Sequence, residues 1–252
     1  VQERELTVET GDGRMTTFVA RPDGDGPFPV AVLYMDGVGY REQIKDNARR
    51  FAAAGYYCVA PDLFHRSGAK LSFDPARMGE EGFRERLMEI VSKVKPDMAV
   101  ADTRAIFTTI GDDPAAAIDA PKVCVGYCMG ARLALHAAAS MPGEMVAAAG
   151  IHPGALVTDA PDSPHHELTD VRGELYFAFA EIDHSASAET VARFRQELER
   201  QGVRGVVERL PGVAHGFAMA DLPVYDRDAA ERHFERTLDL WRRSLSGQQV
   251  TA

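Results

Sequence analysis

The chain has 252 residues, 45% of them hydrophobic and 26% charged, with a formal net charge of -10 and three cysteines. That length suits one α/β domain, and a disordered chain would be poorer in apolar residues. The acidic surplus argues against a nucleic-acid or anionic-membrane surface, no apolar run is long enough for a membrane helix, and so few cysteines point to a reducing cytoplasm rather than a disulfide framework.

The N-terminus is charged and shows no signal-peptide apolar region. Leu6–Glu9 and Met15–Ala20 flank Gly11-Asp12-Gly13, a β-hairpin pattern. A Pro/Gly/Asp loop follows from Pro22 to Pro29, and Val30–Tyr34 is a continuous apolar run, as expected for a strand buried on both faces. A helix is predicted from Gln43 to Ala54, stopped by Gly55, and a strand over Tyr56–Ala60, ended by Pro61. Phe64 to Lys95 reads as an irregular excursion over the domain with a helix near Gly82–Val94, and Asp97–Thr109 as an amphipathic helix. Lys122–Gly126 is the next strand, followed by an alanine-rich helix from Met129 to Ala139. Val146–Ile151 and Leu175–Ala180 are buried strands joined by a long loop, Pro153–Arg172. A helix over Ala186–Gln201, a last strand over Val206–Leu210 and a closing helix over Asp228–Leu245 complete the pattern, with a frayed tail from Ser246. Strands alternating with helices after a hairpin call for one α/β domain. Its sheet is mostly parallel with an antiparallel N-terminal hairpin, and helices lie on both faces.

Cys128 sits where a buried strand meets a helix, in Gly126-Tyr127-Cys128-Met129-Gly130. This is the Gly-x-Ser-x-Gly nucleophile elbow of α/β-hydrolases with Cys in place of Ser. The strained turn crowds its neighbours against the helix and adjacent strands, so the flanking positions want glycine. The helix N-terminus favours both thiolate and oxyanion. Cys58 and Cys124 lie mid-strand among apolar residues and read as core.

A nucleophilic Cys needs a base, and the base a group that fixes its tautomer. In this fold the chain order is nucleophile, acid, histidine. Of eight histidines, His215 has that order and stands in a loop of small residues after the last strand. His136 reads as facing out from its helix and His165-His166 as an exposed pair. Asp183, after the strand Leu175–Ala180, is the orienting acid, with Glu181, Asp159 and Asp162 as rivals. The N–H groups of Met129 and Gly37 are the candidate oxyanion hole. No His/Cys spacing suits a metal, and neither metal nor cofactor is expected.

With these residues in place, the chain resembles the dienelactone hydrolase family. The likeness is carried by Tyr34-Met35-Asp36-Gly37, Ala60-Pro61-Asp62-Leu63-Phe64, Val125–Gly130 and Ala214-His215-Gly216-Phe217-Ala218. The resemblance implies a Cys128–Asp183–His215 triad acting on a small ester or lactone through an acyl-cysteine. It also implies that Asp36, where the family usually has Glu, helps deprotonate the thiol. Arg84, Arg86 and Tyr127 become candidate substrate contacts. So does Met219, which stands where family members acting on carboxylate-bearing lactones have Arg. The alternatives are a general carboxylesterase for neutral esters and a non-catalytic thiol sensor.

Overall fold

The computed structural model describes residues 1–248. The hairpin forms β1 (Gln2–Thr10) and β2 (Gly13–Arg21), paired antiparallel from Gln2↔Arg21 to Thr10↔Gly13 around a Gly11-Asp12 turn. Six more strands follow: β3 (Val30–Tyr34), β4 (Tyr57–Pro61), β5 (Lys122–Tyr127), β6 (Met145–Ile151), β7 (Glu174–Ile182) and β8 (Gly205–Ala214). They make one eight-stranded sheet in the order β1-β2-β4-β3-β5-β6-β7-β8. β2 joins β4 antiparallel, and all pairs beyond it are parallel.

The apolar runs of β3 to β6 are buried at every residue because helices cover both faces. On one face lie α1 (Glu42–Ala53) and the closing helix, α6 (Arg227–Gln248). Phe51 of α1 meets Phe234 and Trp241 of α6 at ring-centroid distances of 4.9 and 4.7 Å, and the Trp241 indole N–H donates to the Cys124 carbonyl at 3.3 Å. The other face carries α3 (Pro96–Thr109) and α4 (Met129–Ser140), tied to the sheet by the Tyr34–Thr103 hydroxyl pair at 2.9 Å and the Cys124 thiol on the Ala134 carbonyl. α2 (Phe83–Lys93) lies within the excursion, and α5 (Ala188–Arg200) precedes β8. No helix among the described residues is long and apolar enough to cross a membrane.

Three expectations change. The Pro153–Arg172 loop contains a 3₁₀ segment, Pro164–Asp170, which buries His165 against Ser163 at 2.7 Å, so only His166 of that pair is exposed. β8 runs on past Leu210 through Pro211 and Gly212, accommodated by a register shift against β7. Ser246 to Gln248 continue the helix rather than fray, and the remainder of the tail lies outside the described residues.

Candidate active site

β5 delivers the chain to Cys128, whose φ of 51° and ψ of -111° lie outside the ordinary regions for a side chain of this kind. The turn is held by the Cys128 N–H on the Ile151 carbonyl at 3.0 Å and by the Ala131 N–H on the Cys128 carbonyl at 3.1 Å. Here the flanking glycines are a steric requirement. A Cβ on Gly126 would overlap the Gly130 carbonyl, and one on Gly130 would run into the carbonyls of Tyr34 and Met35 on the neighbouring strand end. Cys128 remains partly exposed, whereas Cys58 and Cys124 are fully buried, and burial pushes both of their thiols up.

Sheet register brings the candidate base and its candidate acid together. Ile182 of β7 pairs with Ala214 of β8, so the next residue on each strand, Asp183 and His215, leaves the same edge. The His215 N–H donates to the Ile182 carbonyl at 3.1 Å, and its Nδ1 meets Asp183 Oδ2 at 2.6 Å. Asp183 Oδ1 accepts from the Ser185 N–H and hydroxyl at 2.8 and 2.7 Å. Burial raises the Asp183 carboxyl, but His215 and Ser185 outweigh it and hold it below the usual range. Burial likewise opposes charge on His215, yet Cys128 and Asp183 together push its pKa up to about 10. With Nδ1 committed to Asp183, Nε2 is the ring nitrogen that remains available. Of the rival groups, Asp162 is exposed and the others are engaged elsewhere. Glu181 takes Arg209 and the Gly212 N–H, Asp159 is exposed beside Arg193, and His136 bridges Glu167 and Asp97 rather than facing free solvent.

The loop after β3 carries Asp36 and Gly37. Asp36 is buried and makes an Asx turn, accepting from the Val38 N–H at 3.1 Å. Both its oxygens are also taken by Arg41, at 2.6 and 3.0 Å, and the same guanidinium reaches Asp221 with two further bonds. Burial alone would lower the Arg41 pKa, but the two carboxylates overcome it and drive it up. Gly37 lies under α2, where an added Cβ would stand 3.0 Å from Val91 and 3.5 Å from Leu87, so the excursion covers the candidate oxyanion loop. Its N–H meets no acceptor among the described residues. Met129 opens α4, where the first N–H groups lack helical partners. A cavity of about 470 Å³ opens beside Arg41 and is lined also by Gln43, Ser72, Phe73, Asp74 and Asp221, but by neither Cys128 nor His215.

The expected substrate contacts fare differently. Tyr127 and Met219 are fully buried and offer no surface to a ligand. Tyr127 alternates to the opposite side of β5 from Cys124 and packs against His233 of α6, and the Met219 sulfur accepts from Asn47 at 3.8 Å. Arg84 and Arg86 are exposed on α2.

Three further residues belong to this region, of which sequence reading pointed only to His152, as a strand-end residue that could line a pocket. Arg41 is one. His152, directly after β6, has a φ of 40° and is 1% exposed. Its ring stands 5.1 Å from that of His215, and burial keeps it neutral. Neither of its ring nitrogens has a partner among the described residues. The third is Arg132, on α4 one turn past Cys128. Among the described residues no cluster of three or more His, Cys, Asp or Glu side chains is arranged to hold a metal ion.

Comparison with known proteins gives a consistent answer. The model of the dienelactone hydrolase family matches residues 15–245. A relative from Escherichia coli O157:H7 named "Putative carboxymethylenebutenolidase" is 27% identical over 239 residues, 93% of this chain and 84% of its own. A carboxymethylenebutenolidase of Pseudomonas sp. (strain P51) is 25% identical over 240 residues, covering 92% of each. The crystal structure of a "Putative Dienelactone Hydrolase" from Klebsiella pneumoniae superposes with a TM-score of 0.83 at 23% identity, covering 96% of this chain and 98% of that one.

Proposed function

The chain belongs to the dienelactone hydrolase family, and from that premise we propose that it hydrolyses activated esters and lactones through an acyl-cysteine at Cys128. The observation that carries this reading is the 2.6 Å His215–Asp183 pair beside a partly exposed cysteine in a strained elbow. Relatives named carboxymethylenebutenolidase support the lactone part of it.

Cys128 Sγ, as thiolate paired with the His215 imidazolium, attacks the carbonyl carbon. The carbonyl electrons move to oxygen, which the Met129 and Gly37 N–H groups receive. The tetrahedral adduct then expels the alkoxide or enolate, which leaves as His215 gives up its proton, and a thioester remains. Neutral His215 next takes a proton from water as that water attacks the thioester, and Cys128 departs as thiolate. Asp183 holds the ring and favours its protonated state throughout. Asp36, with both oxygens on Arg41 and its turn bond to Val38, holds the loop that carries Gly37. A thiolate is a good leaving group as well as a good nucleophile. The mechanism therefore suits enol lactones and aryl esters, whose leaving groups are stable, and not amides.

A second reading, a general esterase for neutral esters, is favoured by the burial of Met219 and the solvent-facing placement of Arg84 and Arg86. Rates on neutral esters against carboxylate-bearing lactones separate the two. The mechanism itself is tested with purified protein. Iodoacetamide treatment and Cys128→Ala should each abolish hydrolysis of p-nitrophenyl acetate and of enol lactones. Undiminished hydrolysis by Cys128→Ala would remove Cys128 from the reaction.

A further inference from the structure

The end of β6 borders the elbow, the base and the acid. The Ile151 carbonyl accepts the Cys128 N–H at 3.0 Å and so anchors the elbow. The next residue, His152, keeps its N–H in the sheet, on the Ala178 carbonyl of β7 at 2.8 Å, but takes a φ of 40°. Two residues on, Gly154 lies against the base. A Cβ there would stand 3.8 Å from His215 Cε1 and 3.2 Å from Ser185 Oγ, and Ser185 is the residue that donates twice to Asp183.

The His152 ring stands between these parts. Its centroid is 5.9 Å from the ring of Tyr127, the residue before Cys128, and 5.1 Å from the ring of His215, which it meets edge-on at 62°. Phe217, two residues past the base, packs on it at 5.3 Å. Tyr127 and Phe217 are fully buried and rest in turn on His233 of α6, at 5.5 and 6.5 Å, so the core stands behind this wall of rings. Neither nitrogen of His152 has a partner among the described residues. The ring is therefore held by contact, and contact is what it offers to His215. A left-handed backbone and unpartnered buried nitrogens both cost stability. Strain of this kind persists where the surroundings fix a residue, and it gathers at sites that need an aimed group.

His215 needs such a support. The bond from Nδ1 to Asp183 fixes one corner of its ring. It leaves the ring free to tilt, and Nε2, across the ring, moves most. We propose that His152 is a positioning residue for the reaction: its ring is a spacer, packed between Tyr127 and His215, that keeps Nε2 aimed at the elbow while Nδ1 stays on Asp183. The proposal rests on the reading of His215 as the base. The role suits a ring without charge, because a second cation would oppose the imidazolium that His215 becomes. Burial first, then His215, His233 and Arg41, disfavour positive charge on His152.

The test compares His152→Ala with His152→Phe on p-nitrophenyl acetate across pH. Rates are taken per Cys128 thiol titrated by iodoacetamide in the native protein, Cys58 and Cys124 being fully buried. In His152→Ala, kcat should fall about tenfold to a hundredfold, the effect of a catalytic group displaced by up to about 1 Å, with KM little changed. The alkaline limb of kcat/KM should also move to lower pH, since a tilting ring loses the Asp183 bond that helps hold its proton. His152→Phe restores a ring of similar size and should recover most of both losses. A folded His152→Ala with wild-type kcat and limb would overturn the proposal. So would a His152→Phe as impaired as His152→Ala, which would put the work on the imidazole nitrogens. A fall in kcat with the limb in place would overturn it too, in favour of a purely structural part in the core. Should His152→Ala not fold, His152→Leu fills the space without a flat ring and is judged by the same two readouts. Full activity in His215→Ala would instead sink the reading of His215 as the base, an outcome that the comparison at His152 does not share.

Discussion

Asp183→Asn probes how the His215 ring is held. Oδ1 of Asp183 receives two donors from Ser185, so an asparagine in that rotamer keeps its oxygen there and turns its amide nitrogen toward His215 Nδ1. Two donors then face each other unless Nδ1 gives up its proton. The protonated ring thus loses a charge-assisted hydrogen bond, worth about 1.5–3 kcal/mol. At about 1.36 kcal/mol per unit, that lowers the His215 pKa by about one to two units from its raised position near 10. If the active form is the thiolate–imidazolium pair, rate is lost on the alkaline side as His215 deprotonates. The alkaline limb of kcat/KM for p-nitrophenyl acetate should therefore move down by about one to two units in Asp183→Asn. The maximal rate should also fall about a hundredfold or more, because the ring is in the wrong tautomer. The same sign governs stability. A histidine whose pKa is raised on folding stabilises fully below its unfolded value of 6.5, and loses that contribution as pH rises toward 10. Wild type should hence exceed the variant most below pH 6.5, with the gap closing at alkaline pH in urea titrations. An alkaline limb that stays in place or moves up would refute the reasoning.

Other consequences follow from the same geometry. Gly130→Ala drives a methyl into the Tyr34 and Met35 carbonyls, so it should cost about 3 kcal/mol by urea denaturation, the upper end for overpacking, and separate α4 from β3. Arg41→Met leaves a buried Asp36 without its counter-charge and should destabilise by about 3–5 kcal/mol, with Asp36→Asn in the same chain recovering part of it; additive losses would show that the two do not act as a pair. His152→Phe replaces two unpartnered ring nitrogens with carbon at similar volume and should leave the melting temperature unchanged or raised, whereas a loss above about 1 kcal/mol would mean those nitrogens do have partners.

Much of this arrangement is legible in the sequence because it is local. The β3 boundaries, Val30–Tyr34, follow from a short apolar run between a Pro-rich loop and a turn. The elbow follows from two glycines around one cysteine at a strand–helix junction, and Asp183 and His215 from strand ends in chain order. What the sequence hides is pairing across distance. Arg41 meets Asp221, 180 positions away, and nothing near either residue announces the other. Asp36 reads as the family's thiol-activating carboxylate with a turn-capping aspartate as the alternative, and only the Arg41 guanidinium shows that both its oxygens are occupied. Met219 sits in a loop-like stretch of small and apolar residues and is fully buried, because the loop folds back against Asn47 of α1. Arg132 did carry a signal, a single cation among the alanines and leucines of α4, but its meaning depends on what encloses it. His152 is legible as a strand-end residue that could line a pocket, but its left-handed backbone and unpartnered ring are tertiary features.

The central claim is that acyl transfer passes through the Cys128 sulfur. The most direct measurement is mass spectrometry of protein acid-quenched during turnover of p-nitrophenyl acetate, followed by peptide mapping. The account predicts an acetyl group on the peptide containing Cys128, absent after iodoacetamide treatment and absent in Cys128→Ala, which should not turn over. Acetyl on a different residue, with continued turnover by Cys128→Ala, would contradict it.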